Sequence, residues 1–164
     1  MQNQKPQDER TDLSDEDAVF MELALELAEQ AEEAGEVPIG AVVVSSGEVV
    51  GRGRNRIEEQ GSATAHAEML ALQEACALLG RRLSDCTLYS TVEPCAMCAG
   101  AIILARVGRV VFGAEDPKFG AVGSVVNLLE SEHFNHQPEV TRGVLAERCG
   151  ELLQRFFRKL RAGE

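Results

Sequence analysis

Thr64-Ala65-His66-Ala67-Glu68 and Glu93-Pro94-Cys95-Ala96-Met97-Cys98 decide the reading of this 164-residue chain. Between them they offer one imidazole, two thiols and one carboxylate. An imidazole and two thiolates fill three of the four positions of a tetrahedral zinc. Structural zinc sites fill all four with protein ligands, whereas catalytic sites keep one position open. A zinc so held lowers the pKa of a water in that position, and a neighbouring carboxylate that is not a ligand is free to carry protons. His66, Cys95 and Cys98 are therefore the candidate ligands of one zinc per subunit, and Glu68 is the candidate catalytic residue.

The spacing around these residues predicts helix starts. Cys95 and Cys98 are three apart, so at the beginning of a helix both sulfurs can face one point. Pro94 suits the position just before or at the first helical turn. The free N–H groups and the positive dipole end found there favour thiolate over thiol. His66 and Glu68 are two apart and subtend about 200° on a regular helix, so only an irregular start lets both reach one site.

Outward from the two motifs, the pattern alternates between strands and helices. Apolar residues from Phe20 to Ala34 recur at helical spacing, Ser14 and Asp17 resemble a capping box, and Gly35 ends the segment. A β-branched run over 39–44, a Ser46-Gly47 turn and a return over 48–51 predict a hairpin. A helix is expected to open at Thr64 or Ala65 and run to Leu79, closed by Gly80. A strand over 86–91 then delivers the second motif to a helix reaching about Ala105. A strand over 109–114, a short helix over 125–129 and an amphipathic helix over 144–160 complete the expectation. Strands alternating with helices imply an α/β layered fold with some parallel pairing.

At this length the chain is one domain, with enough core to fold without disulfides. Residues 1–13 are polar and charged and are expected to be a disordered acidic extension, with the folded domain over 14–164. The five cysteines form no regular framework, and metal-holding thiolates must stay reduced, so a reducing compartment is expected. Cys76, Cys86 and Cys149 read as small buried apolar residues. The first residues lack a secretory apolar stretch, and nothing resembles a membrane span, so the expected location is the cytoplasm with no membrane partner. The net charge of −11 argues against a nucleic-acid enzyme at first sight. However, residues 1–36 hold 12 acidic side chains against Lys5 and Arg10, which leaves the remainder nearly neutral. Arg155, Arg158, Lys159 and Arg161 oppose only Glu164 at the end of the chain, a small basic tail that permits an anionic partner.

The combination H-x-E and P-C-x-x-C is the known signature of zinc-dependent nucleobase deaminases. With it stand Val37-Pro38-Ile39-Gly40-Ala41, Gly53-Arg54-Asn55-Arg56, Val111-Phe112-Gly113-Ala114 and Gly120-Ala121-Val122-Gly123-Ser124. Taken together, about residues 17–161 closely resemble the bacterial tRNA-specific adenosine deaminases. The zinc motif is shared with cytidine, guanine and riboflavin-pathway deaminases and does not choose the substrate; the other segments carry that choice. The resemblance implies a cytidine deaminase-like three-layer fold with a central mixed sheet flanked by helices. It also implies a homodimer, and conversion of adenosine to inosine at the wobble position of a tRNA anticodon. By the same likeness Asn55, Asp116, Lys118, Asn135 and Phe157 contact the substrate, Asn55 offering donor and acceptor to a flipped adenine. Val92 stands where the family often has Leu.

Two other readings stand beside this one. A deaminase of a free base or nucleoside would suit the acidic total charge. A zinc-stabilised RNA-binding module without catalysis would need no Glu68 and no open coordination position.

Overall fold

The structure is a computed structural model that describes the backbone of residues 9–163 and side chains from Asp15 onward. Its elements in chain order are α1 (Glu9–Glu33), β1 (Gly40–Ser45), β2 (Glu48–Arg54), α2 (Ile57–Gln60), α3 (Ala67–Leu79), β3 (Cys86–Val92), α4 (Ala96–Leu104), β4 (Arg109–Ala114), β5 (Glu139–Arg142) and α5 (Ala146–Arg161). The strands form one sheet in the order β2-β1-β3-β4-β5. β1 is antiparallel to both β2 and β3, whereas β3, β4 and β5 run parallel, so the sheet is mixed. Ser46 and Gly47 both take positive φ (51° and 78°), as a two-residue hairpin turn matched to strand twist requires.

Strand alternation divides the core in two. Ala41, Val43, Leu88, Val110 and Phe112 face α3 and α4, where Ala71, Leu72, Ala99 and Ile102 complete one cluster. Val42, Val44, Tyr89 and Val111 face the opposite side, against Phe20, Met21, Ala24 and Ala28 of α1 and Cys149 and Leu152 of α5. The result is the expected three layers, with two helices on each face of the sheet. Close approach of helix to sheet uses glycine: a Cβ at Gly53 would lie 2.1 Å from the Ala67 carbonyl oxygen, at the start of α3.

Several local expectations are corrected. Ser14 lies inside α1 and not at its end, and Asp17 pairs with Arg109 and caps nothing. The boundary expected at residues 13 and 14 falls within that helix, and residues 1–8 lie outside the described residues. Residues 125–129 form no helix: Gly123 N–H donates to Val126 O, and Val122 bridges Asn127, folding the segment into tight turns. Five residues are too few to nucleate a helix, and here Val125 and Val126 stay exposed while the turns carry Leu129 into the core. β5 and α2 escaped the pattern, because each is four residues long and held by tertiary contacts. Phe156 is half-buried and stacks edge-on against Phe157, and Cys76 is half-buried, whereas Cys86 and Cys149 are buried as expected.

The topology gathers one edge of the sheet into a site. The C-terminal ends of parallel strands β3 and β4 lie at the edge where open α/β sheets bind ligands. β1 runs the other way, so its N-terminal end, and the C-terminal end of β2, arrive at that edge too.

Candidate active site

Both halves of the opening motifs are helix caps. His66 is the N-cap of α3, with φ −75° and ψ 149°, and Cys95 is the N-cap of α4, with φ −76° and ψ 176°. Neither side chain makes a capping hydrogen bond. The extended backbone at His66 is the irregularity that the His-x-Glu spacing demanded: it turns the imidazole back while Glu68 enters the first turn. The helix opens at Ala67, later than Thr64 or Ala65, for this reason.

His66 Nδ1 lies 3.7 Å from Cys95 Sγ and 3.6 Å from Cys98 Sγ, and the three donor atoms all fall within 4.8 Å of one another. Zinc–sulfur and zinc–nitrogen bonds of about 2.3 and 2.0 Å at tetrahedral angles put nitrogen and sulfur about 3.5 Å apart. The two nitrogen–sulfur separations are thus edges of a zinc tetrahedron, and the donor set fits that ion with one corner left for a non-protein ligand. In the structure a hydrogen bond from Cys98, joined by one from His66, pulls the Cys95 thiol down to about 4. The neighbouring Cys95 sulfur, with burial, pushes the Cys98 thiol up. The hydrogen bond to Cys95 raises His66. A dication among these atoms would favour both sulfurs as thiolates and His66 as neutral imidazole.

Glu68 is 4% exposed, and Ser90 Oγ lies 2.9 Å from its Oε1. Burial pushes its carboxyl up. Ser90 Oγ is also 2.8 Å from the Val92 carbonyl oxygen.

An open cleft of about 1030 Å³ runs over these groups. His66, Glu68, Cys95, Asn55, Asp116, Lys118 and Phe157 all line it. Cys98 is fully buried behind the cleft wall. Asn55 is buried; its amide donates to Val37 O and accepts from Ile57 N–H, which leaves one N–H and one lone pair. Asp116 Oδ1 accepts from Lys118 N–H and Phe119 N–H, so the Asp-Pro-Lys segment is an Asx-type turn on the cleft wall. Phe157, 41% exposed, reaches the cleft from α5 together with Arg158 and Arg161. Asn135 is not brought there: it is exposed on the segment before β5, and its backbone carbonyl accepts from Arg106.

Two buried carboxylates escaped the sequence reading. Glu36, 1% exposed, accepts from the backbone N–H of Glu58 and caps α2 behind Asn55. Glu93, 3% exposed, accepts from the backbone of the loop after β4. An acid directly before Pro94-Cys95 was the available signal for Glu93, whereas Glu36 closes an acidic run and carries none.

An incomplete His–Cys–Cys zinc set beside a buried carboxylate, at the strand ends of a three-layer α/β sheet, defines a hydrolytic deaminase of nucleobases. The chain belongs to the MafB19-like deaminase family, whose model matches residues 14–161. It is 55% identical, over 147 residues, to a tRNA-specific adenosine deaminase of Bacillus subtilis (strain 168), covering 89% of this chain and 91% of the relative. A solved tRNA:A34 deaminase, from a study of A-to-I editing at the wobble position of transfer RNA, superposes with a TM-score of 0.79 at 47% identity. That match covers 82% of this chain and 98% of the other. A guanine deaminase from Nitrosomonas europaea shares the fold at 30% identity and a TM-score of 0.75, covering 85% of this chain and 83% of that one. The fold is therefore shared by proteins named for different substrates, and the higher identity lies with the tRNA enzymes.

Proposed function

We propose that the protein hydrolytically deaminates adenosine to inosine at the wobble position of a tRNA anticodon, releasing ammonia. The observation that carries this reading is the convergence of His66, Cys95 and Glu68 on one open cleft, in a chain 55% identical to a tRNA-specific adenosine deaminase. At about 1030 Å³ the cleft is at the upper end of the usual range for small-molecule pockets, it is open, and Lys118, Arg158 and Arg161 stand around it. A base flipped out of an RNA loop, with charged phosphates on both sides of it, suits an open cleft edged by these cations better than a free nucleobase does.

His66, Cys95 and Cys98 would hold one zinc per subunit. When bound, the metal supplies Lewis acidity that makes water a competent nucleophile near neutral pH. Glu68 takes a proton from the attacking water and returns protons to the ring nitrogen and to the departing ammonia. Burial has already raised its proton affinity toward the range such a shuttle needs. Ser90 has one hydroxyl hydrogen for two acceptors, Glu68 Oε1 and Val92 O, so it can donate to the ionised carboxylate and accept from the protonated one. Asn55 meets the purine edge with its remaining donor and acceptor, while Asp116, Lys118 and Phe157 hold the flanking nucleotides. Asn135 contacts RNA away from this cleft.

The deaminase domain covers residues 14–164 together with the start of α1 back to Glu9, and it works as a homodimer in the cytoplasm. No helix among the described residues is long and apolar enough to cross a membrane.

The test is ammonia release from an anticodon stem-loop bearing wobble adenosine, beside free adenosine, cytidine and guanine. Release from the stem-loop alone is the expected outcome. Release only from a small molecule would make the protein a free-base or nucleoside deaminase, and stem-loop binding without ammonia would make it a non-catalytic RNA-binding module.

A further inference from the structure

Glu93 has no assigned role, yet its carboxylate is the most heavily hydrogen-bonded acid around the cleft. Its Oε1 accepts from Asp116 N–H at 3.2 Å and from the Ser124 hydroxyl. Its Oε2 accepts from Val122 N–H at 2.9 Å and from Ser124 N–H at 3.1 Å. Each oxygen thus holds two donors, all from the loop that follows β4. Gly120 leaves room for this arrangement, since a Cβ there would lie 2.3 Å from Glu93 Oε2. Backbone contacts continue the seam up to Cys95: Glu93 N–H donates to Ala114 O, Ala121 N–H donates to Pro94 O, and Cys95 bridges Gly120. Asp116, Pro117, Lys118 and Phe119 of the same loop line the cleft.

A surface loop held this way is pinned to the strand end that carries a metal ligand. We infer that Glu93 is a positioning residue for substrate: its carboxylate fixes the 115–124 loop as a preformed wall of the cleft, in register with Cys95. The inference rests on the reading of the cleft as the site for an anticodon adenosine. The chemistry specifies a carboxylate, because a glutamine in either flip turns an NH₂ toward two N–H or O–H donors. The loop amides then lose their common acceptor, and the Asx turn at Asp116 loses the anchor at its first residue. Such a loop would have to be ordered by the RNA on binding, at a cost in affinity and not in the chemical step.

The test compares wild type with Glu93→Gln in steady-state deamination of the stem-loop, zinc content, and amide hydrogen exchange without substrate. Ser124→Ala, which removes one donor and leaves the carboxylate, is the milder variant should Glu93→Gln fold poorly. Expected for Glu93→Gln are full zinc occupancy, KM raised about tenfold or more, and kcat within about threefold of wild type, since the lost bonds involve a charged acceptor. Ser124→Ala should raise KM by a smaller factor. Exchange should quicken at Val122 and Ser124 while the α3 and α4 amides stay protected. Adding Lys118→Ala to Glu93→Gln should raise KM less than it does in wild type, because a released loop no longer presents Lys118; a purely structural Glu93 would leave the two effects additive. Unchanged KM with unchanged exchange would overturn the inference. So would a loss of zinc and kcat at constant KM, which would assign Glu93 to the metal site. Were wild type inactive on the stem-loop, the functional reading would fall, and the exchange experiment would still decide whether Glu93 fixes the loop.

Discussion

Glu68 and Glu93 are both buried acids within reach of the cleft, and their surroundings give them opposite characters. Glu68 accepts from the Ser90 hydroxyl, but burial dominates and its carboxyl rises. Glu93 is also pushed up by burial, but Ser124 and the backbone N–H groups outweigh that and hold it below the usual carboxylate range. The first is suited to exchanging protons and the second to keeping a fixed charge. Replacing Glu68 by Ala should therefore leave zinc content at one per subunit, since no ligand is altered, while kcat falls by about 10²–10⁴-fold or more. Elemental analysis and stem-loop turnover on the same preparation check both halves; near-normal turnover would remove Glu68 from proton transfer. The candidate proton carrier could be named from the sequence only through the complete H-x-E and P-C-x-x-C signature, since His-x-Glu spacing alone would split the two residues on a regular helix. Glu93 was not, because its partners are 23 to 31 residues downstream and are mostly backbone N–H groups, which leave no mark in a sequence.

Among the elements, the two helices that deliver ligands are the sensitive parts. His66 and Cys95 occupy N-cap positions without capping, so α3 and α4 begin with no side-chain support and rely on packing to stay in place. Gly53 of β2 lies directly beneath the first turn of α3, its absent Cβ making room for the Ala67 carbonyl. Gly53→Ala should lift that turn away from the sheet, lowering stability by about 1–3 kcal/mol in urea denaturation through overpacking. It should reduce zinc occupancy as well, because His66 precedes Ala67. Wild-type stability together with full zinc would show that α3 has slack at this point. Apolar spacing made α1 and α5 readable from sequence, the Gly80 stop marked the end of α3, and a β-branched run made β1 readable. β5 was not, since Glu139-Val140-Thr141-Arg142 has few apolar residues and exists through its parallel pairing with β4. The segment 125–129 looked helical by composition, and competition from turn hydrogen bonds to Gly120 O decided against it.

Across the whole molecule, one ion pair ties the first helix to the far side of the sheet. Arg109 of β4 donates to both oxygens of Asp17 at 2.8 and 2.6 Å, and also to Thr141 of β5 at 2.9 Å. The Tyr89 hydroxyl of β3 donates to Asp17 at 2.8 Å. Three elements thus meet at a carboxylate that is 6% exposed, and β5 joins them through Arg109. Burial pushes Asp17 up, but the hydrogen bonds from Arg109 and Tyr89 prevail and hold it below its usual 3.8. A carboxylate depressed in the folded state contributes stability that is fully present above its unfolded value and is lost as pH falls through the folded one. Asp17→Asn should consequently cost about 1.5–3 kcal/mol at pH 7, the worth of hydrogen bonds to a charged group, with Arg109 left facing a neutral amide. The stability gap between wild type and variant should stay level from pH 7 down to about 5 and close below about 4. Urea denaturation of both proteins across that range measures the gap. Acid also strips metal from His66 and the thiolates, but it does so in both proteins, so the difference between them isolates Asp17. A gap that persisted below the folded value would mean that packing of the Asp17 side chain, and not its charge, holds α1 to the sheet.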